Sequence, residues 1–344
     1  MDRRQLLRWW RAPLWVAALA TGAKSFVDNP IIGSERLNRA GLHVARVKAA
    51  HKLAWRRRRR IARGVKPEWR EQFDRNGFVC VPDFLPPEMF AKLRATLLET
   101  RFESRAHQQG DTITRRVPVG PEVLQASPEL GSLLGSTPLT SLLSYVASTR
   151  SVPLYYVQTI VGSATDGPPD PQVELHSDTF HPSLKAWLFL TDVADEDRPL
   201  TYVAGSHRLT PQRLAWEKEK SISLTSSGDR LSQRGSFRIS PDGLARLDLP
   251  APTRFAVKAN TLVAVDTYGF HARGDSDHPT LRVELWAYCR RTPFLPWAGL
   301  DLLSIGPIAP RRAQWLNWLV DRLAGIGWLT QHWKPVGHRR PIDP

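Results

Sequence analysis

Cysteine is nearly missing from this chain of 344 residues, which holds only Cys80 and Cys289. Two thiols so far apart in sequence make neither a disulfide framework nor a thiolate metal site. A reducing compartment is the simpler reading. Long apolar runs are missing too. The stretch Ala12-Pro13-Leu14-Trp15-Val16-Ala17-Ala18-Leu19-Ala20 stops well short of the ~20 residues that span a bilayer. Acidic residues are scarce in one region only. Residues 1–70 hold 18 Lys/Arg and 4 Asp/Glu, whereas residues 71–344 hold 30 and 29. The net charge of +15 is therefore an arm at +14 attached to a body at +1. Such asymmetry points the arm towards an anionic membrane surface or nucleic acid.

What is present suits a globular protein. Apolar residues make up 42% and charged residues 24%, enough for one large domain or two modest ones. Within the arm, Trp9, Trp10 and Trp15 lie beside arginines, a pairing found at membrane interfaces. Arg3-Arg4-Gln5-Leu6-Leu7 loosely resembles a twin-arginine export signal. Arg11 interrupts the apolar run that export needs, so a cytoplasmic chain is the better expectation. The spacing of Leu37, Ala40, Val44 and Val47 predicts a helix over 35–63. That helix ends in the arginine run 56–60. As a bland charge run it is solvated. As a membrane contact each arginine contributes about 1 kcal/mol near anionic lipid. Phosphates offer the same attraction, but nothing else in the chain resembles a nucleic-acid module. Residues 1–66 therefore read as a basic helical arm for the inner face of a membrane.

From residue 67 the pattern changes. Pro67 opens one helix and Pro86-Pro87 another. The polar stretch 105–120 reads as a mobile loop or lid, whose Arg115 and Arg116 could receive an anionic substrate or remain solvated. Short β-branched and aromatic runs then recur at 154–161, 185–190, 200–203, 254–257, 261–265 and 281–288, parted by turns. They predict a mainly β fold of closed or double-sheet type, such as a jelly roll, with flanking helices. Residues 67–300 read as this domain. Residues 301–344 form a C-terminal helical extension. Its Trp315, Leu316, Trp318, Leu319 and Leu323 share one helical face, expected to pack on the core, with membrane contact or a dimer seam as the sharper alternative.

In the middle of the β region stands His176-Ser177-Asp178. On an extended strand, residues i and i+2 share a face, so an imidazole and a carboxylate can meet at one point. With a second histidine from elsewhere they would suit a non-haem Fe(II) centre. Alone, the tripeptide is weak.

The ordered set is stronger. Gly77-Phe78-Val79, His176-Ser177-Asp178, Ala186-Trp187, Pro199-Leu200-Thr201-Tyr202-Val203-Ala204-Gly205-Ser206-His207, His271 and Arg282 resemble the phytanoyl-CoA dioxygenase family of Fe(II)/2-oxoglutarate oxygenases. The resemblance covers roughly 70–290. It implies a double-stranded β-helix (cupin-like), with His176, Asp178 and His271 binding iron. It also implies Arg282 as the clamp for the far carboxylate of 2-oxoglutarate, through two charge-assisted hydrogen bonds. Trp187 stands where the family places an aromatic beside the co-substrate. Gln158 and Lys185 are further candidates for that shell. Arg282 has a competing structural role, a salt bridge to Glu284 on its own strand face. His181 and Thr179 are candidates for the substrate pocket, and His207 for capping the Gly-Ser turn. Two departures stand out. The chain has Asp197-Arg198-Pro199 where members usually have Gly before the Pro, and Arg273 where some members place a Ser. Halogenating relatives lack the carboxylate that Asp178 supplies, which favours hydroxylation.

The expectation is a dioxygenase that uses Fe(II), 2-oxoglutarate and O2, releases succinate and CO2, and hydroxylates a small-molecule or lipid-like substrate. The rival readings are a catalytically inactive β-helix scaffold and a nucleic-acid-binding protein acting through the basic arm.

Overall fold

The structure is a computed structural model and describes residues 11–344. Trp9, Trp10 and the Arg3-Arg4 pair lie outside the described residues. Among the described residues, eleven strands form two sheets. In chain order they are β1 (Phe78–Val81), β2 (Phe102–Gln109), β3 (Thr112–Pro118), β4 (Leu154–Gly162), β5 (Leu184–Phe189), β6 (Leu200–Tyr202), β7 (Thr253–Arg254), β8 (Leu262–Asp266), β9 (His271–Arg273), β10 (Thr280–Cys289) and β11 (Lys334–Arg339). The large sheet runs β1-β8-β5-β10-β4-β3-β2-β11 and the small one β7-β6-β9, with antiparallel pairing throughout.

Period-two alternation gives the large sheet two different faces. One face carries Phe78, Tyr156, Trp187, Val263, Val265 and Trp286, and it packs on Leu200, Tyr202 and Phe255 beside the small sheet. The expected double-stranded β-helix core is this pair of facing sheets. The opposite face carries Val157, Leu184, Ala186, Leu188, Val283 and Leu285, which pack into a second core with the helices. The labelled helices are α1 (Leu42–Ile61), α2 (Pro67–Asn76), α3 (Pro87–Glu99), α4 (Thr137–Ala147), α5 (Pro211–Ser223) and α6 (Arg312–Gly325). In α4 the buried Leu139, Leu142, Leu143 and Val146 form one stripe at helical spacing.

Three expectations change. The helix over 35–63 is two helices, Glu35–Arg39 and α1, parted at Gly41, whose φ of 101° suits glycine. The lid over 105–120 is the β2–β3 hairpin, turned at Gly110 (φ 58°). Its strands are polar because their side chains meet a pocket on one face and the C-terminal segment on the other, and this hid the alternation. The apolar stripe of α6 is not core either: only Ala313 of that helix is buried, and Trp315 and Trp318 are 51% and 59% exposed.

The arginine run also divides. Arg56, Arg59 and Arg60 are exposed, but Arg57 and Arg58 are buried against the body. Arg57 donates to the carbonyls of Ser148, Pro293 and Leu295. Arg58 donates to the carbonyls of Tyr145 and Val146. These carbonyls lie in the last turn of α4, where Tyr145 O also accepts from the C-cap Ser148 N at 3.1 Å, and a cation suits that end of the helix dipole. Arg58 further pairs with Asp266 at 2.9 Å, with side chains 1% and 0% exposed. Removing one partner strands a buried charge, which typically costs about 3–5 kcal/mol. Arg58→Met should therefore lower urea stability by that amount, and Arg58→Met/Asp266→Asn should recover most of it. Equal stability of the wild type and Arg58→Met would show that the pair does not hold α1 to the body.

Candidate active site

The His176 segment is extended but is not part of a regular strand. It is held by a direct bridge in which His176 N donates to His271 O (3.0 Å) and His271 N donates to His176 O (2.9 Å). Asp178 N donates to Thr267 O at 2.9 Å. Two segments far apart in sequence are thus locked in register, and three side chains converge. The ligand-type atoms of His176, Asp178 and His271 all lie within 4.8 Å of one another. Asp178 Oδ1 is 3.7 Å from His176 Nε2 and 3.5 Å from His271 Nε2.

The backbone selects the tautomers. His176 Nδ1 lies 2.7 Å from Glu174 O, and His271 Nδ1 lies 3.0 Å from Gly269 O. A carbonyl can only accept, so each Nδ1 carries the proton and each Nε2 presents its lone pair to the shared point. Histidine ligands are usually oriented in this way. Gly269 has no alternative, because a Cβ there would come within 1.9 Å of Tyr202 Oη. Burial, then His271, hold the His176 pKa well below the usual range, so its imidazole is neutral at neutral pH. Burial opposes ionisation of Asp178, but Lys185 first and then the two histidines hold its pKa well below normal. Two imidazoles and one carboxylate, on one side of an open space, fit a divalent metal of the facial-triad type.

These groups line a cavity of ≈ 240 Å³. Its far wall is the inner face of the large sheet, and it places the other candidates as follows. Lys185 Nζ is 2.7 Å from Asp178 Oδ2 and 3.4 Å from His271 Nε2. Trp187 is buried along the wall. Gln158 lines the cavity but both ends of its amide are engaged: Oε1 accepts from Arg116 Nε at 2.7 Å, and Nε2 donates to Glu284 Oε1 at 2.7 Å. Arg282 lies 3.1 Å from Glu284 Oε2 and donates from Nη1 to Arg198 O at 2.5 Å. The competing partner expected for Arg282 is therefore present, within the same cavity wall. No hydrogen bond engages Arg282 Nη2 among the described residues. Thr179 and His181 do not line this cavity. His181 Nδ1 lies 3.0 Å from Pro182 O, and His207 is packed 5.5 Å from Phe73. Burial pushes the pKa of both histidines down to about 3.

The two departures find physical accounts. Arg198 adopts φ 53°, the left-handed conformation that the usual glycine adopts readily. Such a residue costs about 1 kcal/mol or more. In compensation its guanidinium is spent on Asp111, at 2.6 Å, and on Thr112 and Ser163. Its carbonyl is the one that holds Arg282. Arg273 lines the cavity and pairs with the buried Asp170.

One feature of the cavity was not legible in the sequence. Trp333, from the C-terminal extension, lines it. Arg116 reaches it from β3 with its guanidinium 3.9 Å from the Trp286 ring and 4.2 Å from the Trp333 ring. Trp333 gave no signal, because only the addition of β11 to the edge strand β2 brings it there.

Facing sheets bring two histidines and one carboxylate to one point, an arrangement that could hold a metal ion. The family model for phytanoyl-CoA dioxygenase (PhyH) matches residues 73–227. The resemblance read from the residues is thereby shown, and with it the enzyme class, an oxidoreductase of the 2-oxoglutarate-dependent, non-haem iron type. No curated protein matches the chain. Among solved structures, the α-ketoglutarate-dependent epimerase SnoN from nogalamycin biosynthesis is similar at 19% identity, over 70% of this chain and 92% of its own, with a TM-score of 0.43. HygX from Streptomyces hygroscopicus, solved with nickel and 2-oxoglutarate, is similar at 17% identity over 65% and 86%, with a TM-score of 0.41. Similarity at this level speaks to neither substrate nor reaction.

The metal reading is checked by titrating the full chain with Fe(II) or Mn(II) under anaerobic conditions. His176→Ala and Asp178→Asn should each weaken binding at least about 100-fold, beyond the 10–100-fold typical of losing an outer partner. Lys185→Met removes a cation that competes for Asp178 and should tighten binding. Unchanged affinity in His176→Ala would rule the site out.

Proposed function

We propose that the chain is an Fe(II)- and 2-oxoglutarate-dependent dioxygenase that hydroxylates a small-molecule substrate, with release of succinate and CO2. The observation that carries this is the convergence of two imidazoles and one carboxylate, with Arg282 in the same cavity. His176, Asp178 and His271 would hold the iron. When bound, iron(II) supplies the redox chemistry that activates O2 with 2-oxoglutarate, at positions the three ligands leave open. The chain does the rest. Asp178 offsets part of the metal's charge. Arg282, oriented by the Arg198 carbonyl, offers Nη2 to a carboxylate, and Glu284 holds the guanidinium in place. Trp187 and Trp286 wall the cavity and exclude water beside the reacting groups. Lys185 must leave Asp178 as a divalent ion arrives, because like charges repel. Its flexible stem then carries the ammonium towards a bound anion. An inactive scaffold would not need two histidines and a carboxylate turned to one point with each histidine Nδ1 tied to a backbone carbonyl. The test is anaerobic addition of Fe(II) and 2-oxoglutarate, followed by air. A weak visible charge-transfer band and then succinate are expected from the intact chain, and neither from His176→Ala. If the intact chain gives neither, the oxygenase reading falls.

A second reading concerns place, and the exposed apolar surface favours it. Trp297, Leu300, Leu302, Leu303, Trp315, Trp318 and Trp328 are all exposed, from 42% at Trp297 to 87% at Leu300. Asp301 and Asp321 nearby are each tied to an arginine, Arg312 and Arg105. We infer that this surface, with the exposed Arg56, Arg59 and Arg60 as a second contact, rests on the inner, cytoplasmic face of an anionic membrane. A lipid-like substrate would then be within reach. Tryptophan settles at the headgroup level and arginine among anionic lipid. No described helix is long and apolar enough to cross a membrane, so contact would be peripheral. Nucleic acid is disfavoured, because Arg57 and Arg58 are buried. The full chain should sediment with phosphatidylglycerol-containing vesicles, and Trp315→Ser/Trp318→Ser should release it. A chain that stays in the supernatant, or that prefers duplex DNA at matched salt, would overturn this placement.

A further inference from the structure

The cavity holds one cation more than its acids can account for. Lys185 faces Asp178, Arg273 faces Asp170 and Arg282 faces Glu284. Arg116 has no carboxylate in contact among the described residues. Its Nε donates to the Gln158 amide at 2.7 Å, and no hydrogen bond within the described chain engages its terminal nitrogens. Burial pushes its pKa down to about 10, which still leaves it charged at neutral pH.

The guanidinium is set among three aromatic rings, 3.9 Å from Trp286, 4.2 Å from Trp333 and 5.4 Å from Tyr156. Aromatic faces hold a guanidinium without consuming its N–H donors. Trp333 is itself anchored. Its N donates to Gln331 Oε1 at 2.9 Å, Gln331 donates to Asp321 at 2.6 Å, and Arg105 bridges Asp321 (2.5 Å) and Trp333 O (3.1 Å). The neighbouring Arg115 points to the other face of β3, where it donates to the carbonyls of Arg340, Pro341, Asp343 and Pro344. Adjacent residues of one strand thus hold the C-terminal segment from behind and use its tryptophan in front.

A cation held by aromatic rings and one amide, partly buried and with unspent donors, is an anion site. We propose that Arg116, held against the Trp286 and Trp333 rings, binds an anionic group of the substrate, a carboxylate, phosphate or sulfate. The assignment to substrate rests on the oxygenase reading. There, a divalent metal and doubly charged 2-oxoglutarate cancel, and Arg116 carries the remaining positive charge of the loaded cavity. The C-terminal extension, which lies outside the family match, then determines specificity: Trp333 is both a ring against Arg116 and a limit on substrate width.

The test is calorimetric titration of the full chain with hexanoate, hexyl phosphate and hexanol, anaerobically, with and without Fe(II) and 2-oxoglutarate. Both anions should bind the loaded chain at least about tenfold more tightly than the alcohol, as one charge-assisted hydrogen bond implies. Arg116→Gln should abolish that preference, Arg116→Lys should keep part of it, and Trp333→Ala should weaken anion binding more than Trp333→Phe. No preference in the intact chain overturns the proposal, as does a preference that survives in Arg116→Gln. A rise in the KM for 2-oxoglutarate in Arg116→Gln, with the anion preference intact, would assign Arg116 to the co-substrate instead. Succinate release by the intact chain is the separate check on the oxygenase reading, and its absence leaves the anion measurement standing.

Discussion

The ion pair between Arg58 and Asp266 is the constraint on which the rest of this structure turns. It is wholly buried, so its partners are worth little apart and must stay together. On one side, Arg58 caps the end of α4 through Tyr145 and Val146. On the other, Asp266 ends β8, and its Oδ1 accepts from Ser183 N and Tyr268 N. Its own carbonyl accepts from Tyr202 Oη at 2.8 Å. The next residue, Thr267, holds Asp178 through its carbonyl, and the turn it begins delivers His271. A helix outside the matched family segment thereby buttresses the loop on which two of the three converging side chains depend. The same helix sets His43 against Glu217 at 2.7 Å, and Arg213 reaches from Glu217 to Tyr268 O. The arm is joined to the active-site loops by several buried polar contacts.

The two faces of the large sheet divide the work. Outward residues of β4, β5, β8 and β10 are aliphatic and pack on helices. Inward residues are aromatic near one end and ionic near the other. Cross-strand register lines up Glu284 with Gln158 and Gln158 with Arg116, so a row of side chains crosses three strands as one hydrogen-bonded chain. Register is set by the hydrophobic face, because a slip of one residue would turn that row into the helix-packed core. The polar wall of the cavity is therefore specified by apolar packing behind it. Gln158 couples the wall to Arg116 and Glu284 and does not itself stand free for a ligand.

What could be read from the sequence follows from this division. His176-x-Asp178, His271 and Arg282 were legible because the motifs keep the order of the family they resemble. The burial of Arg57 and Arg58 was not legible, because five identical residues carry no periodic information about which face is covered. The β2–β3 hairpin was hidden because neither of its faces is apolar. The stripe of α6 looks the same in sequence whether it faces a core, a membrane or solvent. Trp333 depends on a strand added at the far edge of the sheet, a contact that no local pattern encodes. The left-handed Arg198 shows the same limit in miniature: a missing glycine suggested a lost turn, yet long-range ion pairing keeps it.

The charge inventory of the cavity joins these observations. A site for a divalent ion and a dicarboxylate must hold cations and anions in near balance, or the apo protein would be strained by uncompensated buried charge. Here the balance is struck locally, by pairing Lys185, Arg273 and Arg282 each with one acid. These pairs differ in how readily they can open. Arg273 and Asp170 are a short pair whose carboxylate is wholly buried, and Arg282 is also fastened to a backbone carbonyl. Lys185 and Asp178 rest on a flexible stem and a partly exposed carboxylate. The Lys185–Asp178 pair is thus the most easily opened of the three. Arg116 has no acid to leave, and aromatic contacts hold it at no expense of its donors. Of the four cations it is the one already arranged for a ligand that the chain itself does not supply.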